Sequence, residues 1–92
     1  MKITYDRAKS DRNTRERGLS FERAEDFDFS TALFLIDSRW NYGEVRHVAI
    51  GYLESRLHVM CFVERPGGIR VISFRKANKR EVRRYAQAQT AN

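Results

Sequence analysis

Little in this sequence carries ready-made chemistry. Its single cysteine, Cys61, cannot close an internal disulfide. Set in the apolar run Val59-Met60-Cys61-Phe62-Val63, it reads as a small buried hydrophobe of a protein kept in a reducing compartment. Two histidines and scattered carboxylates show no recurring metal-ligand spacing, so no metal is expected and His47 and His58 read as ordinary strand residues. There is no glycine-rich phosphate loop, because Gly67-Gly68 belongs to a hairpin turn, and no cofactor is expected. No apolar stretch approaches the roughly 18 residues of a membrane span, and the start MKITYDRAK lacks a signal-peptide core. The expectation is a soluble cytoplasmic protein without membrane contact.

Positive charge is what the chain has in excess. Eighteen Lys and Arg against twelve Asp and Glu give +6, and the excess is uneven. From Glu64 to Arg84 there are eight basic residues and two acidic ones, whereas Glu22, Glu25, Asp26 and Asp28 form an acidic stretch. A basic field gathered in one part of a small chain favours nucleic acid over a neutral ligand. Apolar content of 41% is enough for a folded core, and 92 residues suit one domain spanning 1–92.

The order of elements predicts an α+β fold. Met1 to Tyr5 reads as an extended lead-in. Asp6 caps a polar helix running to Arg17, which Gly18 stops, and Ser20 caps a second, shorter helix whose Phe21, Ala24 and Phe27 share a face. Strands follow at 31–37, 46–54, 57–64 and 69–76, joined by tight links at Ser55-Arg56 and Pro66-Gly67-Gly68. A last helix starts near Lys79, with Asn78 and Glu81 spaced as a capping box, and residues 87–92 are expected to fray. The sheet is thus expected to be four-stranded and mainly antiparallel, with two N-terminal helices and a C-terminal one.

A three-residue turn at 66–68 pairs residue i with 134 minus i. Glu64 then faces Arg70 and His58 faces Lys76 on one side of the sheet, while Arg65 and Arg75 lie on the other. Cleaving RNA without metal needs a group to take the 2′-hydroxyl proton, cations to stabilise the phosphorane and a donor for the leaving 5′-oxygen. Glu64, Arg65, Arg70, Arg75 and Lys76 offer such groups, with Tyr85 on the last helix. The same residues also read as a Glu64–Arg70 pair with Arg75 salt-bridged elsewhere. Lys79, Arg80, Arg83 and Arg84 also read as a solvated helix face. Trp40, between Arg39 and Tyr42, reads as a core or interface anchor or as a base-stacking residue.

Taken in order, a longer set of residues resembles the BrnT toxins of BrnT/BrnA type II toxin–antitoxin systems. The set comprises Tyr5-Asp6 with Lys9 and Asn13, Gly18-Leu19-Ser20-Phe21-Glu22 with Ala24, Gly43-Glu44 with Arg46, and Ile50-Gly51. It continues through Glu64-Arg65, Ile69-Arg70-Val71-Ile72-Ser73 and Arg75-Lys76-Ala77 to Glu81 and Tyr85. The resemblance implies a RelE-like fold and a metal-independent ribonuclease that arrests translation. It also implies a DNA-binding BrnA-type antitoxin that covers the active site. By position, Glu64, Arg65 and Arg75 become catalytic candidates, with Tyr85 stacking or donating a proton. Arg70, Lys76, Lys79 and Arg80 become RNA ligands. Arg17 departs from the family, which commonly has histidine before that glycine; arginine cannot titrate near neutral pH but can contact phosphate, so the resemblance leaves Glu64 or Glu16 as base, or a weak nuclease. Arg75→Ala is expected to abolish activity and leave the melt nearly unchanged. The competing expectation is a non-catalytic interaction protein whose basic surface receives an acidic partner or nucleic acid.

Overall fold

The computed structural model describes residues 1–90. The elements run β1 (Lys2–Tyr5), α1 (Arg7–Arg17), a 3₁₀ segment (Phe21–Asp26), β2 (Leu33–Asp37), β3 (Arg46–Leu53), β4 (Arg56–Arg65), β5 (Gly68–Lys76) and α2 (Lys79–Thr90). All five strands form one sheet in the order β1-β5-β4-β3-β2. The α+β expectation stands, but the sheet has five strands, not four, and it is mixed. The lead-in is itself a strand, parallel to β5, with Ile3 opposite Ile69 and Tyr5 opposite Val71. Four residues seal this edge only because Gly68 lets the backbone in: a Cβ there would collide with the Lys2 carbonyl.

The second N-terminal helix is a 3₁₀ segment. Phe21, Ala24 and Phe27 recur every third residue, which suits three residues per turn, and all three are buried. They lie on one face of the sheet over Met60, Phe62, Ile69, Val71 and Phe74. The α2 helix covers part of the other face, where Tyr85 packs with Ile50, Leu57 and Val59. Asn78 and Glu81 cap it reciprocally, each side chain accepting from the other's backbone N–H at 2.9 Å. The expected fraying of 87–92 fails as far as Thr90, which is still helical; positions 91 and 92 lie outside the described residues.

Helix α1 has no apolar face, and polar bonds anchor it instead. Asp6 accepts from Lys9 N–H, and Gly18, at φ 67°, closes the far end onto the Thr14 carbonyl. Asn13 Nδ2 donates to both the Leu19 and the Phe74 carbonyls at 2.8 Å, and buried Ser10 accepts from Phe21 N–H. The C-terminus of α1 is thereby pinned to the end of β5.

Near the last turn the register differs from expectation. His58–Lys76 and Cys61–Ser73 pair as expected, but a bulge between Cys61 and Phe62 leaves Glu64 opposite Ile69 and Arg65 opposite Gly68. Pro66-Gly67 is therefore a two-residue turn, with Gly67 at φ 76°. Strict alternation would send Arg70 and Ile72 inward with Phe74. The extra residue instead lets Ile69, Val71 and Phe74 share the core face. The β3–β4 link is likewise displaced by one residue, to Glu54-Ser55, with Glu54 at φ 55°. Trp40 is in an open loop and 75% exposed, so it is no core anchor.

Candidate active site

The bulge redistributes the expected site. On β4, Val59 faces α2 and Met60 and Phe62 face the 3₁₀ segment. Alternation then puts Arg65 on the α2 face and Glu64 on the opposite one. On β5, the bulge moves Arg70 to the α2 face, alongside Arg65 and Arg75 and away from Glu64. The expected Glu64–Arg70 pair is thus absent, and Glu64 is also separated from Arg75 by the sheet. The Glu64 carboxylate is exposed and stands 3.8 Å from His47 Nε2. Arg65 reaches Glu44 at 3.3 Å.

Arg75 is committed to helix α2. Its two terminal nitrogens donate to the two Glu81 oxygens at 2.8 Å each, a bidentate charge-assisted pair. The guanidinium holds the Glu81 carboxyl below its ordinary value, and Glu81 in turn raises Arg75. One carboxylate therefore both caps the helix and aims the arginine. Tyr85 is buried and its hydroxyl donates to the Thr31 carbonyl at 2.8 Å. Lys79 and Arg80 lie exposed in the first turn of α2.

Around Arg75 the α2 face forms an open cleft of about 760 Å³ that also takes in Arg39, Arg46, Cys61 and Arg84. Its acids are already engaged. Arg39 donates twice to Asp37 at 2.9 Å and holds that carboxyl far below the usual range. The Arg46 guanidinium carbon lies 3.9 Å from the Tyr42 ring centroid, while its buried Nε has no partner among the described residues. Cys61 is half-buried rather than sealed in the core, and burial pushes its thiol up, away from the reactive thiolate. Among the described residues, this face offers cations without an unengaged carboxylate.

A second cleft, of about 570 Å³, opens at the other end of the sheet, between the C-terminus of α1 and the β3–β4 turn. Arg17 reaches it from α1, Arg56 and His58 from β4, and Lys76 from β5. Asn13 makes this convergence possible by tying α1 to the Phe74 carbonyl, two residues before Lys76. Arg17, Arg56 and Lys76 are exposed and make no ion pair among the described residues, so their charge is free for an anion. Glu54, the carboxylate of the cleft, is bound by Arg23 at 3.0 Å.

His58 is the buried polar wall of this cleft, 5% exposed. Its ring lies 5.6 Å from that of Phe74, and its Nδ1 is 2.8 Å from the Arg56 carbonyl. Burial lowers its pKa, and the Arg56, Lys76 and Arg23 charges add to that lowering against the opposing carbonyl bond. Sequence reasoning brought Arg17 and Lys76 forward as phosphate ligands but passed over His58 and Arg56. The cross-strand pairing of His58 with Lys76 was a legible signal; the approach of α1 was not.

Comparison with known families matches residues 5–81 to the family described as "Ribonuclease toxin, BrnT, of type II toxin-antitoxin system". No curated protein sequence matches the chain.

Proposed function

From the chain's membership of the BrnT family of type II toxin–antitoxin ribonuclease toxins, we propose that it cleaves RNA without a metal ion, in the RelE-like manner, and so arrests translation. A BrnA-type, DNA-binding antitoxin neutralises it by covering the basic surface. The observation that carries this reading is the convergence of Arg17, Arg56 and Lys76, without carboxylate partners among the described residues, in one cleft. A phosphate entering there meets cations whose charge no internal ion pair has spent. Arginine grips two phosphate oxygens at once and lysine adds a mobile point charge, which suits stabilisation of a developing phosphorane.

The α2 face extends this reading. Arg65, Arg70 and Arg75, brought to one side by the bulge, together with Arg46 and Arg84, supply a second basic track. Lys79 and Arg80 continue it along the helix. RNA leaving the cleft and an acidic antitoxin segment both suit such a track. In this reading Arg75 and Tyr85 hold helix α2 on the sheet, and Glu64, on the far face from Arg75, takes no part in a shared proton transfer with it.

The test is RNA integrity after brief incubation with the purified protein in EDTA. Cleavage should persist in EDTA. Arg17→Ala and Lys76→Ala should each slow it by about 10²-fold, in line with loss of one preorganised cationic donor. Because both side chains are exposed and unpaired, their melts should stay within about 0.5 kcal/mol of the parent. Intact RNA at protein levels that arrest growth would instead favour the non-catalytic interaction protein.

A further inference from the structure

We infer that His58 is the proton acceptor of the end cleft, taking the RNA 2′-hydroxyl proton at Nε2. The inference rests on the nuclease reading and assigns its missing base. The cleft contains few alternatives. The side chains of Arg17, Arg23, Arg56 and Lys76 carry hydrogen-bond donors and no acceptor. Glu54 is already hydrogen-bonded to Arg23 at 3.0 Å. The imidazole remains.

Four features of the site suit it to this role. The carbonyl of Arg56 can only accept, so Nδ1, 2.8 Å away, carries the proton and Nε2 carries the lone pair. Packing against Phe74 holds the ring in place. His58 lines the cleft, and among the described residues its one side-chain hydrogen bond is at Nδ1, not at Nε2. The charges facing the ring are Arg17 from α1, Arg23 from the 3₁₀ segment, Glu54 from the β3–β4 turn, Arg56 on its own strand and Lys76 from β5. This cationic surround and the ring's burial both keep it neutral, and a neutral ring is the form that accepts a proton.

The step balances without a co-reactant. His58 Nε2 takes the 2′-hydroxyl proton, the 2′-oxygen forms a bond to the adjacent phosphorus, and the phosphorus–O5′ bond breaks. The departing 5′-oxygen takes a proton from the Lys76 ammonium, which regains one from the imidazolium through solvent. The products are a 2′,3′-cyclic phosphate end and a 5′-hydroxyl end. Arg17 and Arg56 neutralise the phosphorane oxygens while the bonds exchange.

The experiment compares the parent with His58→Asn, whose amide can still donate to the Arg56 carbonyl, and with His58→Gln, as initial cleavage rates across pH in EDTA. The parent rate should rise with pH along an acid limb set by one group and then level. His58→Asn should lose about 10²–10⁴-fold and with it the acid limb, while its circular dichroism and binding of a 2′-deoxy-blocked RNA stay those of the parent. His58→Gln keeps the test decisive if the Asn variant folds poorly. A parent that cuts RNA while a folded variant cuts equally well, with the same acid limb, overturns the assignment of His58 alone. A parent that leaves RNA intact overturns the nuclease reading and this inference with it.

Discussion

At the scale of single residues, Arg75, a catalytic candidate in the sequence, is tied by Glu81 into the architecture of the fold. Its pair with Glu81 has side-chain exposures of 36% and 21%, so solvent screens it only in part. Arg75→Ala strands a half-buried carboxylate that also caps α2, and should cost about 1–2 kcal/mol. The geometry thus predicts a measurable loss where the sequence alone predicts a nearly unchanged melt. The pH dependence follows from the direction of the shift. Glu81 is lowered in the fold from an ordinary 4.5, so its contribution is present above that value and lost as pH falls through the folded value. Thermal melts between about pH 3 and 6 should show a steeper acid loss in the parent than in Arg75→Ala. Identical melts at both ends would show that the pair contributes nothing.

At the scale of elements, the edge strand β1 depends on a glycine outside itself. Gly67 and Gly68 sit side by side in sequence, yet their reasons differ. Gly67 needs its positive φ in the two-residue turn and has open space around it, whereas Gly68 needs its missing side chain where β1 passes. Gly68→Ala should displace β1, at a cost of about 1–3 kcal/mol by analogy with overpacking. Amide hydrogen exchange should find residues 2–5 less protected, with β3 and β4 unchanged. Full protection of residues 2–5 in that variant would mean that the backbone can shift without losing the pairing. The polar helix α1 belongs to the same scale: it is placed by Asn13, Ser10 and its two caps, and that placement delivers Arg17 to the cleft.

At the scale of the whole molecule, a chain of net charge +6 lines two clefts on opposite faces of one sheet with cations. Binding of a single-stranded RNA blocked at its 2′-positions should weaken steeply with salt, since each neutralised phosphate releases counterions. Arg17→Ala should lower the slope of log K against log salt by about 1. An unchanged slope would move RNA contact away from the end cleft. Distributing cations over both faces also separates two demands, a reacting phosphate in the cleft and a longer polyanion or acidic partner along α2.

Much of the molecule was written in local sequence. The caps at Asp6, Gly18 and Asn78, the β3-β4-β5 meander and the basic C-terminal half all follow from spacing and charge, because a cap or an alternating strand is decided within a few residues. The family was legible as well, from the order of short segments between Tyr5 and Tyr85. Other features required the tertiary structure. Whether Met1–Tyr5 is a tail or a strand depended on Gly68, more than sixty residues away. Which face Arg70 takes depended on a bulge that local alternation does not reveal, selected because Ile69, Val71 and Phe74 must reach one core. Likewise His58 became a cleft wall, and not simply a strand histidine, only when Asn13 drew the end of α1 against the end of β5. Short-range rules set each element; where the charges meet was set by apolar burial and a few long-range hydrogen bonds.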